Sequence, residues 1–116
     1  MTSAEFRSLA DEKMVKSHAL SRDADRLRVQ AAALRGLLGS LASISKGVWV
    51  GPAATDFEEQ CAMRARQVDD QAAELQRFAG ELDQRARRLR EEAARLRSQA
   101  DAAAAAAVTD VPAGVA

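Results

Sequence analysis

The sequence predicts an all-α protein, an antiparallel two-helix hairpin, and three observations carry that prediction. Two long segments place leucine and alanine at alternating steps of four and three residues, which keeps them on one stripe of a helix. Alanine, leucine and arginine dominate the composition, with three phenylalanines, one tryptophan and no tyrosine, a balance suited to closely packed helices rather than a thick core. Between the two segments, Gly47 to Pro52 gathers glycine, β-branched and aromatic residues and proline, a single break in an otherwise helical chain.

The first helix is expected over residues 3 to 45. Thr2 and Glu5 have the spacing of a capping box, in which hydroxyl and carboxylate each satisfy a backbone donor left over at a helix start. From Leu20 a regular stripe follows through Ala24, Leu27, Ala31, Leu34, Leu38 and Leu41. Upstream, Phe6, Leu9, Ala10, Met14 and Val15 are less strictly spaced, so looser packing is expected there. Gly36 and Gly39 each cost up to about 1 kcal/mol relative to alanine, yet the stripe runs through them. Lys46 suits the negative end of the helix dipole and Gly47 the residue just past it, which ends the helix near residue 45.

The turn is expected at 46–51, and the second helix over residues 52 to 105. Pro52 fits the first helical position, where its missing N–H would be unpaired anyway; Thr55 and Glu58 offer a second capping box and hence a later start. Cys61, Ala65, Val68, Ala72, Leu75, Ala79, Leu82, Ala86, Leu89, Ala93, Leu96 and Ala100 then form an unbroken apolar seam. Alternating leucine with alanine lets the two axes approach to the short side of the usual ~8–10 Å. A well-buried leucine contributes roughly 1.5–3 kcal/mol, so Leu20, Leu27, Leu34, Leu41, Val68, Leu75, Leu82, Leu89 and Leu96 are expected to hold the hairpin. Folding back at Trp49 opposes the start of the first helix to residues 90–95. The helical hairpin thus covers residues 1–107, and 108–116, with Pro112 and Gly114, read as a disordered tail.

Seventeen basic and seventeen acidic residues give no net charge, so no global field draws the protein towards nucleic acid. Arg85, Arg87, Arg88, Arg90, Arg95 and Arg97 form a basic cluster, but Glu91 and Glu92 interrupt it and no aromatic residue interleaves it, which describes a solvated face better than a nucleic-acid site. No stretch has the length and apolarity of a membrane span, and the polar start argues against a cleaved secretory signal. One histidine, His18, and one cysteine, Cys61, provide neither metal-ligand spacing nor a catalytic dyad. Adjacent carboxylates such as Glu91 and Glu92 point about 100° apart on a helix. No enzyme activity, cofactor or metal is expected.

Two helices that bury only a seam leave their flanks open, and off-seam apolar residues mark where a partner packs. Val29, Ala33, Leu37 and Ile44 widen the apolar face of the first helix, and Phe57 and Phe78 flank the seam of the second. These six residues are the expected dimer interface.

With two antiparallel helices, Trp49-x-Gly51 in the turn and Phe57 just inside the second helix, the chain resembles the Trp-x-Gly, early secreted antigen-like hairpins of type VII (ESX) secretion systems, over roughly residues 5 to 100. The resemblance implies a protein folded in the cytoplasm, paired with itself or a sister hairpin as a four-helix bundle, and exported without a cleaved signal. Trp49, Gly51 and Phe57 are then the secretion and partner motif. The family's other signal half, Tyr-x-x-x-Asp/Glu near the end of the second helix, is absent, because the chain has no tyrosine: Leu89-x-x-x-Ala93, Leu96-x-x-x-Ala100 and Arg97-x-x-x-Asp101 stand in that region.

Three readings follow. The chain supplies the Trp-x-Gly half of a composite export signal whose tyrosine lies on the sister hairpin, with a secretion ATPase as a further partner. Alternatively it is an adaptor, cytoplasmic or co-exported, that docks a larger type VII effector. In the third reading it is a coiled-coil structural protein unrelated to secretion, whose Trp49 plugs the hinge.

Overall fold

In a computed structural model, described for residues 1–45 and 51–109 as backbone and for 1–40 and 51–108 as side chains, the protein is an all-α helical hairpin. Helix α1 spans Ser3–Ser45 and helix α2 spans Pro52–Thr109. The turn at 46–50, Trp49 included, lies outside the described residues, as do residues 110–116.

Both helix starts follow from local chemistry. The Thr2 N–H donates to Glu5 Oε2 and the Glu5 N–H donates to Thr2 Oγ1, each at 3.2 Å, which closes the capping box. At α2 the Gly51 carbonyl accepts from the Thr55 N–H at 3.1 Å and from the Thr55 hydroxyl at 3.3 Å, so Pro52 opens the helix and Thr55 belongs to its first turn rather than to a later start. α2 continues to Thr109, past the expected end near 105 and through the first two residues assigned to the tail. The run Ala102–Ala107 explains this, since alanine has the highest helix propensity and needs no opposing helix to favour one more turn. In α1, a methyl added at Gly36 or Gly39 would meet nothing within 4 Å, so neither glycine is there to relieve crowding.

The chain forms two compact units, Met1–Arg22 with Leu82–Ala116, and Asp23–Glu81. In the first, Ala10, Ser17, Ala86, Ala93 and Ala100 are completely buried. The Ser17 hydroxyl donates to the Ala86 carbonyl of the facing helix at 3.0 Å, which satisfies the one polar side chain among these layers and marks a close approach of the two backbones. In the second, Ala24, Ala31, Ala72 and Ala79 are completely buried, with Ala54 and Cys61 nearly so. In both units the completely buried residues of each helix are seven positions apart, and all of them are small.

That distribution revises the energetics expected of the seam. Leu20, Leu27, Leu34, Val68, Leu75, Leu82, Leu89 and Leu96 are all half-buried; the side chain of Leu41 lies outside the described set. Three residues beyond a buried alanine, or beyond Ser17 in the case of Leu20, each leucine is turned by roughly 60° off the contact line and covers its edge. A half-covered leucine gives roughly half of the full-burial value, about 1 kcal/mol. The reason is geometric: methyl groups close a gap too narrow for leucine, and the larger side chains are displaced to the flank.

Among the described residues four ion pairs link the helices, Arg7–Asp101 at 3.6 Å, Asp11–Arg97 at 3.7 Å and Lys13–Glu92 at 2.8 Å in the first unit and Arg35–Asp69 at 3.8 Å in the second. They set the facing residues more than a helical turn further along α2 than folding back at Trp49 predicts.

Ala79→Leu is expected to destabilise the protein by about 1–3 kcal/mol through overpacking, read as a lower midpoint in urea unfolding. The same exchange at exposed Ala73 should change stability by less than about 0.5 kcal/mol.

Candidate interaction surface

The residues expected to recognise a partner are held by α1 and α2 in different ways. Gly51, immediately before α2, has a φ of +122°, a backbone conformation open to glycine and strained for a residue with a Cβ. The third position of Trp49-Val50-Gly51 therefore answers a backbone demand at the helix entry. Trp49 lies outside the described residues. Phe57, in the second turn of α2, is 41% exposed.

The second unit carries an open apolar groove. Leu34 of α1 and Leu75 and Phe78 of α2 line it, with Gln71, Glu74, Arg77 and Glu81 around them. Gln71, Leu75, Phe78 and Glu81 recur at steps of four and three, one face of α2. Phe78 is 59% exposed, a large apolar side chain more than half open to solvent. Leu37, three residues after Leu34 on the same side of α1, is similarly exposed.

Val29 and Ala33 are not among the residues that line the groove. Both are exposed and, with Leu37, stand at steps of four along one ridge of α1. The side chain of Ile44 lies outside the described set.

In the first unit, sequence periodicity missed the continuity of small residues upstream of Leu20. Ala10 and Ser17 are fully buried, Phe6, Leu9 and Met14 half-buried, and Val15 exposed. The available signal was the seven-residue step from Ala10 through Ser17 to Ala24, obscured because serine does not count as apolar.

Electrostatics here is mostly a matter of exposed charges. Lys13 both hydrogen-bonds and attracts the Glu92 carboxylate, holding its pKa below the ordinary value; Arg95 and Arg88 act in the same direction and slight desolvation opposes them. Such half-exposed pairs contribute little stability but favour one alignment of the helices over another. His18 is exposed and Cys61 is a buried free thiol. Among the described residues no three His, Cys, Asp or Glu side chains group to hold a metal ion, and no helix is long and apolar enough to cross a membrane. The arginines of the basic cluster are exposed, with Arg97 paired to Asp11.

These features define a helical hairpin with an uncovered leucine and phenylalanine groove, chemistry suited to binding another protein surface. Comparison with protein-family models, curated proteins and solved structures finds no match to this chain.

Two outcomes are expected. Gly51→Ala should cost roughly 1–3 kcal/mol from backbone strain, measured by chemical denaturation. The Glu92 pKa is lowered on folding, so its contribution is present above the ordinary glutamate pKa and is lost as pH falls through the lowered value. Lys13→Ala should flatten this part of the stability-versus-pH curve, measured by thermal unfolding from neutral pH into the acid range.

Proposed function

We propose that this chain is a type VII (ESX) secretion substrate or export partner that acts by protein–protein interaction rather than by catalysis. It folds in the cytoplasm as a helical hairpin, joins itself or a sister hairpin in a four-helix bundle, and contributes Trp49-x-Gly51 as one half of a composite export signal. It is exported without a cleaved signal peptide. The partner brings the Tyr-x-x-x-Asp/Glu half, since this chain contains no tyrosine. Neither nucleic acid nor a cofactor takes part.

The observation that carries this reading is Gly51. A chance Trp-x-Gly tripeptide has no reason to place its glycine at a helix entry with a φ of +122°, one residue before Pro52 opens α2. The dipeptide ahead of it then belongs to the connection between two long helices, as the resemblance to the Trp-x-Gly hairpins requires. The open groove at Leu34, Leu75 and Phe78 supports a packed partner, because an apolar edge of this kind gains by being covered.

Trp49→Ala is expected to leave far-ultraviolet circular dichroism nearly unchanged and to lower the amount of protein in the culture supernatant of a secreting host by about tenfold or more, equivalent to losing ~1.4 kcal/mol of recognition. Undiminished supernatant levels would remove Trp49 from the signal.

A further inference from the structure

In the first unit most carboxylates are engaged and most guanidinium groups are not. Asp101, Asp11 and Glu92 pair across the two helices with Arg7, Arg97 and Lys13, and Glu5 accepts from the Thr2 N–H. Residues 85–97 of α2 carry six arginines against Glu91 and Glu92. Of these, Arg85, Arg87, Arg88, Arg90 and Arg95 are exposed and form no ion pair among the described residues. Arg88 and Arg95 act on Glu92 only through space.

This arrangement gains the helix nothing. Arg85 with Arg88, and Arg87 with Arg90, are like charges three residues apart, a spacing that disfavours a helix. Lysine, which gives the same net charge, is absent from Pro52–Thr109, although α1 has Lys13 and Lys16. Arginine adds a planar fork of donors that grips a carboxylate through two parallel hydrogen bonds.

The angular spread of these side chains selects the kind of anion. Around the helix axis Arg85 and Arg88 stand about 60° apart, Arg87 and Arg88 about 100°, and Arg88 and Arg90 about 160°. A flat anionic surface such as a bilayer meets one side of α2 and engages Arg85, Arg88 and Arg95 at most. A flexible chain reaches the others as well. No aromatic residue interleaves the arginines to stack bases, which favours carboxylates over a nucleic-acid strand.

We propose that residues 85–95 of α2 bind an unstructured acidic segment of another protein, rich in Asp and Glu, that wraps the exposed side of the helix. The arginines extend over about 15 Å of helix, a length that about five or more extended residues cover. Opposite charge supplies the attraction and the arginine forks fix the carboxylates. The contact lies within the first unit and involves neither Trp49 nor the groove, so it stands or falls apart from the export reading.

Fluorescence anisotropy of a labelled peptide tests this, the probe being about twelve residues of glutamate interspersed with glycine, titrated with the full chain. Arg87→Gln with Arg88→Gln is expected to weaken binding about tenfold or more. Removing two charges from the second unit instead, by Arg64→Gln with Arg66→Gln, should change it by less than about twofold; all four positions are exposed. Arg87→Gln and Arg88→Gln singly should each weaken binding by about threefold, because the peptide contacts both sides of the helix. Circular dichroism verifies folding, and Arg88→Gln with Arg95→Gln replaces the first pair if helicity is lost. No binding by the natural chain at about 100 µM overturns the proposal, and so does equal weakening by the two double exchanges. A single exchange at Arg87 or Arg88 without effect also overturns it. Tighter binding of a thymidine strand of the same length, or of phosphatidylserine vesicles, overturns it in favour of that anion.

Discussion

The close approach of two helices through small side chains is the constraint on which the rest of the structure depends. Alanine at every seventh position, with Ser17 in one layer, lets the backbones come near enough for the Ser17 hydroxyl to reach the Ala86 carbonyl. An interface so narrow cannot contain leucine. The leucines are consequently turned to the flank and left half-covered, and among the described residues the buried core holds only small side chains. Stability is shared among many modest contacts, and the apolar surface that remains is concentrated in a form another helix can use.

Much of this was legible in the residues. Thr2 and Glu5 mark the first helix, Pro52 marks the second, and both work through local backbone donors that need no tertiary information. The seam was visible too, but the roles within it were not. Alternating leucine and alanine specifies a stripe without saying which member occupies its centre; that depends on the distance between the helices, a property of the assembled pair. Ser17 stayed hidden for a related reason, since a hydroxyl is acceptable in an apolar layer only when a carbonyl lies opposite.

Register was the least legible property. A seven-residue repeat of alanine looks the same after sliding by one heptad, so packing alone leaves the alignment degenerate. The ion pairs remove that degeneracy. Sliding α2 by one heptad replaces Glu92 opposite Lys13 with Arg85 or Gln99, and replaces Asp69 opposite Arg35 with Ala62 or Gln76. Exposed charges that add little to stability therefore have a larger part in choosing between alignments. The candidate surface was partly readable: apolar residues off the seam were easy to find, but that Phe78 borders a groove with Leu34 and Leu75 required knowing which side of each helix the facing helix occupies.

The division of the chain into its two units has a consequence for the order of folding. Asp23–Glu81 is contiguous in sequence, whereas the other unit joins Met1–Arg22 to the chain beyond Leu82. Contacts between near residues incur less loop-closure entropy than contacts between distant ones, and closing the contiguous unit shortens the effective loop that the distant pairing must span. The hairpin should zip from its middle towards its ends. During synthesis, the first twenty-two residues then wait as an unpaired amphipathic segment until the last third of the chain is made.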